Sequence, residues 1–327
     1  MTIGFDEFME TALYGAGGFY SSGSGPGRRG AAFLTSPEIG PLFGAVVANA
    51  LDAWWDQFGN PSPFPVVEAG GGRGTLAASI LNAHPRCAAA LQYVIVERAE
   101  PARAEAAAIV DVRADLPAPG SLGPTGVVLA NELLDNLVFK VVERAYDGWR
   151  ELRVVRAADQ YVFAMGDRVP RFDHVHAEVG ARIPWHTASI QWVAQARAIF
   201  ERSHIALIDY GTRTTTELAK RAWRDWLRTY RDHGRGKDPL RKPGTQDITT
   251  DIAFDQLVPH ALSTQAEWLR SHGIDALVDA ARATWHERAS IGDLEALKAR
   301  SRVTEADALL DPSGPGGFLV AEWDIPA

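Results

Sequence analysis

Val66-Val67-Glu68-Ala69-Gly70-Gly71-Gly72-Arg73-Gly74-Thr75-Leu76 constrains this chain more than any other stretch. A short apolar run ends in an acid, a glycine-rich turn follows, and Leu76, Ile80 and Leu81 open a segment of helical periodicity. That order predicts a strand, a tight loop and a helix, the opening of a nucleotide-binding α/β unit. Glycines let backbone approach a ligand closely at positive φ, and the first turn of the helix offers free N–H groups. The spacing Gly70-x-Gly72-x-Gly74 departs from the dinucleotide pattern G-x-G-x-x-G, in which Thr75 would be Gly or Ala. Glu68 beside the glycines favours a cationic ligand over a pyrophosphate. S-adenosylmethionine, with its sulfonium and ammonium groups, fits that demand, and Glu68, Gly70, Gly72 and Gly74 are its first candidate ligands.

A second apolar run, Tyr93-Val94-Ile95-Val96, ends in Glu97, 23 residues after Gly74 (97 − 74). A carboxylate there accepts hydrogen bonds from a ribose diol, and the expected offset is roughly 20 residues. Asp115 follows a short strand near residues 109–112, where it either meets the adenine amine or occupies a solvated turn. Val127-Val128-Leu129-Ala130 is a fourth buried strand, with Asn131 and Glu132 at its carboxyl end, where open α/β sheets keep ligand and chemistry. Ile205-Ala206-Leu207-Ile208-Asp209 is a fifth, and residues 318–321 a last strand after a turn.

Thr35-Ser36-Pro37-Glu38 has capping-box spacing and a proline in position for the first helical turn, so a helix is expected from there to Trp55. Before it, residues 15–30 hold seven glycines in sixteen positions, which reads as a lid over residues 15–34 or as a connector. Helices are expected over 3–14, 101–108, 188–202, 266–272 and most of 275–298. Strand-like runs at 138–144, 149–155 and 160–164 form a β-meander that interrupts the alternation of strand and helix. Four segments result: an N-terminal helical cover with its glycine-rich lid (1–64), a Rossmann-like core (65–137), an antiparallel β insertion (138–186) and the remaining core with C-terminal helices and last strands (187–327).

A chain of 327 residues with 46% apolar and 23% charged residues can bury a large core. Its net charge of −8 argues against broad nucleic-acid binding. The single cysteine, Cys87, excludes internal disulfides and multi-cysteine zinc sites, and suits a reducing cytoplasm. No apolar run approaches the roughly 20 residues of a membrane span. Of the nine histidines only His174-x-His176 forms a close pair, and no metal site is expected.

Four segments in order resemble the MidA-like family of S-adenosylmethionine-dependent methyltransferases, which includes a mitochondrial complex I assembly factor. They are Gly30 to Ile39, Glu68 to Leu76, Ala130-Asn131-Glu132-Leu133-Leu134-Asp135-Asn136, and Asp209-Tyr210-Gly211 with residues 243–255. Departures from the family pattern are Ala31-Ala32 before Phe33, Gly71 in place of a proline, and Leu137-Val138 in place of Leu-Pro. The resemblance implies a class I methyltransferase: a mostly parallel seven-stranded sheet with helices on both faces and an antiparallel last strand. It implies a protein arginine as acceptor. A small-molecule O- or N-acceptor, or an assembly protein that binds the cofactor without turnover, are the alternatives.

Methyl transfer from a sulfonium is an in-line displacement governed by proximity and orientation. Glu132 is the carboxylate expected to face the acceptor, paired with Asp135 or Glu38 to hold a cation in a planar fork. Asn131, Thr35 and Ser36 are expected beside the cofactor. The acceptor is expected to be a protein or a small molecule, with neither nucleic acid nor membrane as partner, and the assembly could be a homodimer.

Overall fold

The computed structural model describes residues 2–20, 35–158, 160–231, 234–236 and 238–326. The fold is α/β with mixed sheets, and the chain divides into two compact units, each with its own apolar core.

One unit comprises Phe33–Glu132, Ala196–Ile208 and His260–Ala327. It holds a seven-stranded sheet of β1 (Phe64–Ala69), β2 (Leu91–Val96), β3 (Asp111–Arg113), β4 (Thr125–Asn131), β5 (Arg202–Asp209), β6 (Ala261–Thr264) and β7 (Leu319–Ile325). Their order across the sheet is β6-β7-β5-β4-β1-β2-β3. The pairs β1–β2, β2–β3, β1–β4 and β4–β5 are parallel and β6–β7 is antiparallel. All six residues of β1 are buried, because a strand covered on both faces needs a continuous apolar run rather than an alternating one. The chain lays β2 and β3 on one side of β1 and then returns to place β4 on the other. This reversal leaves a crevice at the carboxyl ends of β1 and β4, and the register Ala69↔Ala130 makes Gly70 and Asn131 the next residues on either side of it.

Helix Pro41–Gln57 buries Leu42, Phe43, Val46, Val47, Ala50, Leu51 and Trp54. The single helix expected from residue 36 to 55 is instead two, Ser36–Ile39 and Pro41–Gln57, separated at Gly40. Pro41 disfavours helical backbone in the residue before it, and the second helix starts on that proline. Its first amide N–H is capped from far away: Leu42 N donates to Oε2 of buried Glu305 at 2.9 Å. The helix expected over 275–298 is also two, Ile274–Arg288 and Leu294–Leu310, the second capped by Asp293.

The other unit comprises Met1–Ala32, Leu133–Gln195 and Asp209–Pro259. Lys140–Ala145, Gly148–Ala157 and Gln160–Arg168 form the expected meander, and Thr2–Gly4 and Arg182–Trp185 extend it to five strands. Helix Phe5–Tyr14 packs Phe5, Phe8, Met9 and Leu13 into this unit's core with Phe139, Trp149 and Ile183. The N-terminal 64 residues are therefore not one cover: the first helix belongs with the β insertion, and the capped helix at Ser36 with the seven-stranded sheet. Strands at Leu227–Arg231, Gly234–Arg235 and Asp247–Thr250 make a small sheet that no sequence periodicity announced. Of the expected lid, residues 21–34 lie outside the described residues.

Candidate active site

The glycine turn follows β1 directly. Gly70, Gly72 and Gly74 take φ of 71°, 54° and 84°, the left-handed region in which a side chain is strained, so the three spaced glycines are a backbone requirement. Gly71 is constrained by space instead: a Cβ there would lie 2.9 Å from Ile95 and 3.0 Å from the Glu68 carboxyl carbon. Helix Thr75–Asn82 starts at Gly74, and a Cβ on Gly72 would meet no atom of the described residues within 4 Å, so among them the turn leaves an open cradle.

Glu97, one residue past β2, reaches this turn. Its Oε2 accepts from Gly72 N at 3.1 Å and its Oε1 from Ala99 N at 2.8 Å. A carboxylate has about four acceptor sites, so both oxygens keep capacity for a diol. Arg73 pairs with Glu105 at 3.4 Å on the surface and braces the turn. Asp115 is exposed, two residues beyond β3.

Glu68 differs from its expected form. The residue is 4% exposed, and its carboxyl accepts from the Tyr93 hydroxyl at 2.9 Å. Burial pushes its pKa up to about 8, with the hydrogen bond from Tyr93 opposing and the nearby charge of Glu97 adding. In the ligand-free chain at neutral pH it is thus mostly a neutral acid, not the standing negative charge that a count of acids suggests. Tyr93 was legible only as a strand residue; its place across from Val66 and diagonal to Glu68 comes from the register of β1 and β2.

The raised pKa has a consequence for stability. The unfolded chain releases the Glu68 proton near pH 4.5 and the folded chain near 8, so unfolding is favoured progressively as pH rises between those values. Urea midpoints of the wild type should fall from pH 5 to pH 8, and Glu68→Gln should flatten that slope. An unchanged slope in the variant would assign the effect to other groups.

At the end of β4, the Asn131 amide nitrogen donates to Glu132 Oε1 at 3.2 Å, while its Oδ1 is buried with no partner among the described residues. Glu132 sits at φ 52°, uncommon for a residue with a long side chain. Its backbone N–H donates to Ile208 O at 2.8 Å, and its carboxylate accepts from Ser36 N at 3.4 Å. Burial pushes the carboxyl up to about 7, opposed by the bonds from Asn131 and Ser36 and assisted by the charge of Glu38. The Ser36 and Glu132 motifs, 96 residues apart, therefore meet.

The residues around Ser36 support that meeting. Ser36 is fully buried and its hydroxyl donates to Gln265 Oε1 at 3.0 Å. Thr35 and Glu38 close a capping box, with Thr35 N donating to Glu38 Oε2 at 3.2 Å. Glu38 is exposed and holds a helix end, a role that the spacing alone already allowed.

Asp135 lies in the other unit, in the short turn Leu134–Asn136. That turn hangs on fully buried Asp209, whose Oδ2 accepts from Leu134 N at 2.9 Å and Asp135 N at 3.1 Å. Asp135 accepts from the Tyr210 hydroxyl and, at 2.8 Å, from the Asn136 amide. The Tyr20 hydroxyl lies 2.6 Å from Asn136 Oδ1 and 2.9 Å from Asp247 Oδ1. Burial pushes Asp247 up to about 6. Tyr210 and Asp247 fall in the fourth family-like segment and Tyr20 in the glycine-rich stretch, and only folding gathers them. The Asp135 carboxylate thus carries a phenol and an amide.

Residues 46–274 of the 327 match the model of a family described as "putative S-adenosyl-L-methionine-dependent methyltransferase". The chain belongs to that family. Among its curated relatives, the protein arginine methyltransferase NDUFAF7 homolog of Drosophila melanogaster, a mitochondrial protein, is 27% identical over 299 residues, covering 79% of this chain and 66% of that protein. The Xenopus tropicalis mitochondrial protein arginine methyltransferase NDUFAF7 is 28% identical over 297 residues, covering 74% of this chain and 65% of its own length. The chain thus spans about two thirds of the length of these relatives. A Burkholderia thailandensis protein crystallised with S-adenosyl-homocysteine superposes with a TM-score of 0.81 at 27% identity, covering all of this chain and 89% of that one. The mitochondrial relatives overturn the expectation of a cytoplasmic protein. One cysteine and an acidic composition fit any reducing compartment and do not select among them.

Proposed function

We propose that the chain is a class I methyltransferase that transfers the methyl group of S-adenosylmethionine to a protein arginine. The observation that carries the reading is the end of β4, where a buried, unpartnered Asn131 Oδ1 and a left-handed Glu132 stand next to a glycine turn at the reversal of strand order. A buried acceptor without a donor is costly unless a ligand supplies one, and backbone strain in such a place supports a functional role. The open cradle at Gly72, the acid on either side of it and the orphaned acceptor together suit a ligand with a ribose diol and an ammonium group. The ribose falls to Glu97 and the ammonium side to Glu68 and Asn131. Bound there, the cofactor supplies an activated methyl group on a sulfonium.

The chain's own part is orientation. Glu132, fixed by Ser36 N and the Asn131 amide, is aimed at the acceptor and holds its cation or takes its proton. Arginine as the acceptor follows the relatives, whose names specify it, and a carboxylate is the group that a guanidinium requires.

Calorimetric titration with S-adenosylmethionine tests the cofactor assignment. Glu97→Ala should weaken binding by about 1.5–3 kcal/mol, the scale of hydrogen bonds to a charged acceptor. Arg73→Ala, which removes only an exposed ion pair, should leave affinity within about a factor of five. Equal affinity in wild type and a folded Glu97→Ala protein would remove the ribose from that carboxylate.

A further inference from the structure

We propose that Asp247, Tyr20 and Asn136 form a specificity subsite that takes up a guanidinium on the acceptor protein, in addition to the part given to Glu132. The inference rests on the acceptor reading above and deepens it, by naming residues that choose the acceptor.

All three residues belong to the unit that holds the β insertion. Tyr20 is folded back onto helix Phe5–Tyr14, with Phe19 N donating to Ala12 O at 3.0 Å and Tyr20 N to Leu13 O at 2.9 Å. Asp247 opens the strand Asp247–Thr250, and its Oδ1 accepts from Ile248 N at 2.9 Å. Asn136 closes the turn Leu134–Asn136. Its amide nitrogen donates to Asp135 Oδ1 at 2.8 Å, which fixes the direction of the amide and turns Oδ1 towards the Tyr20 phenol. The three elements come from far apart in the chain, and each side chain is set by its own local bond.

The corner they make is short of donors. A phenol carries a single proton. Tyr20 has two acceptors in reach, Asn136 Oδ1 at 2.6 Å and Asp247 Oδ1 at 2.9 Å, so one of them always lacks it. Asp247 Oδ2 has no hydrogen-bond partner among the described residues, and none of their Lys, Arg or His side chains pairs with that carboxylate. Tyr20, Asn136 and Asp247 are each partly exposed, so a group from solvent can reach them. The group that completes the corner is a cation with several N–H donors. A guanidinium spreads its donors in a planar fork and can meet a carboxylate and an amide oxygen together, which the point charge of an ammonium does less well. The border of the corner is aromatic: the Tyr14 and Tyr20 rings stack at 5.3 Å and 18°, and Phe19 meets Tyr20 at 5.3 Å and 78°. A guanidinium is more weakly hydrated than an ammonium and loses less against such rings.

The test is an NMR titration of the whole chain with ring-labelled tyrosine, using acetyl-arginine amide and acetyl-citrulline amide as probes. The two share a shape and differ in charge. The chain has seven tyrosines, few enough to resolve, and Tyr20→Phe assigns the Tyr20 signal. The titration is run near pH 7.5, above the value of about 6 to which burial pushes the Asp247 carboxyl, so that the carboxylate is charged. The Tyr20 signal should follow the arginine probe with an affinity about tenfold or more above that for the citrulline probe, as expected where a charge-assisted bond replaces a neutral one. Asp247→Asn can still accept from Ile248 N and from Tyr20, so the strand end should keep its form. In that variant the preference read at Tyr20 should shrink to within about twofold. Asp247→Glu, which restores the charge, should recover part of it. A Tyr20 signal that ignores the arginine probe, or that answers both probes equally, overturns the inference and leaves the acceptor reading standing on Glu132. A preference that persists in Asp247→Asn also overturns it. Labelled methyl recovered from extract proteins only on residues other than arginine overturns the acceptor reading, while the Tyr20 titration still decides whether the subsite takes a guanidinium.

Discussion

Glu132→Gln is expected to lower methyl transfer by roughly 10²-fold or more while cofactor affinity stays within a few-fold, because the role proposed for the side chain is to address the acceptor. The amide is isosteric and can still accept from Ser36 N, so the left-handed backbone at residue 132 and its bond to Ile208 should survive. What disappears is the charge. With the Glu132 carboxyl raised to about 7, the wild-type rate should climb as pH passes upward through that value, since the protonated form neither holds a cation nor accepts a proton. In the variant that limb should be gone. Transfer of labelled methyl from S-adenosylmethionine to extract proteins measures both effects, and wild-type labelling by the variant would return Glu132 to a purely structural part.

Gly44→Ala should destabilise the unit that holds the seven-stranded sheet by about 1–3 kcal/mol, the usual range for overpacking a core. Gly44 lies in helix Pro41–Gln57, where a Cβ would stand 2.3 Å from Ser79 Cβ, 2.9 Å from Ser79 C and 3.0 Å from Ile80 N. Two of those three atoms are backbone, so no rotamer change relieves the clash and the helices must separate. The helix displaced, Thr75–Asn82, is the one that carries the glycine turn, so S-adenosylmethionine affinity should fall along with stability. Urea unfolding of Gly44→Ala beside the double variant Gly44→Ala/Ser79→Gly separates the contributions. Removing the Ser79 Cβ should recover part of the loss, and a single variant as stable as wild type would show that the two helices have slack.

The positions of Gly70, Gly72 and Gly74 were readable because their cause is local. A turn between an apolar run and a helical pattern needs positive φ there, and the spacing names the residues that comply. The same holds for the capping box at Thr35 and Glu38 and for the acids that end β1 and follow β2. Ser36–Ile39 and Pro41–Gln57 were read as one helix because the apolar spacing runs across the Gly40-Pro41 junction. The cap that makes the break stable, Glu305, comes from 263 residues away. The small sheet around Leu227–Arg231 and the strand Ala261–Thr264 were missed because short, partly polar strands owe their form to the neighbours they pair with.

Sequence alone therefore determined the elements whose causes lie within a few residues: the strand–turn–helix, the caps, the two acids and the residue types at the end of β4. Only tertiary structure decided their state. It buried Glu68 against Tyr93, so an apparent charge became a neutral acid with a pKa near 8, and it brought Ser36 to Glu132 across 96 residues. It also split the N-terminal segment between two cores and gave Asp135 to Tyr210. Desolvation and hydrogen-bond partnership depend on what packs around a group, and residues distant in the chain supply that packing.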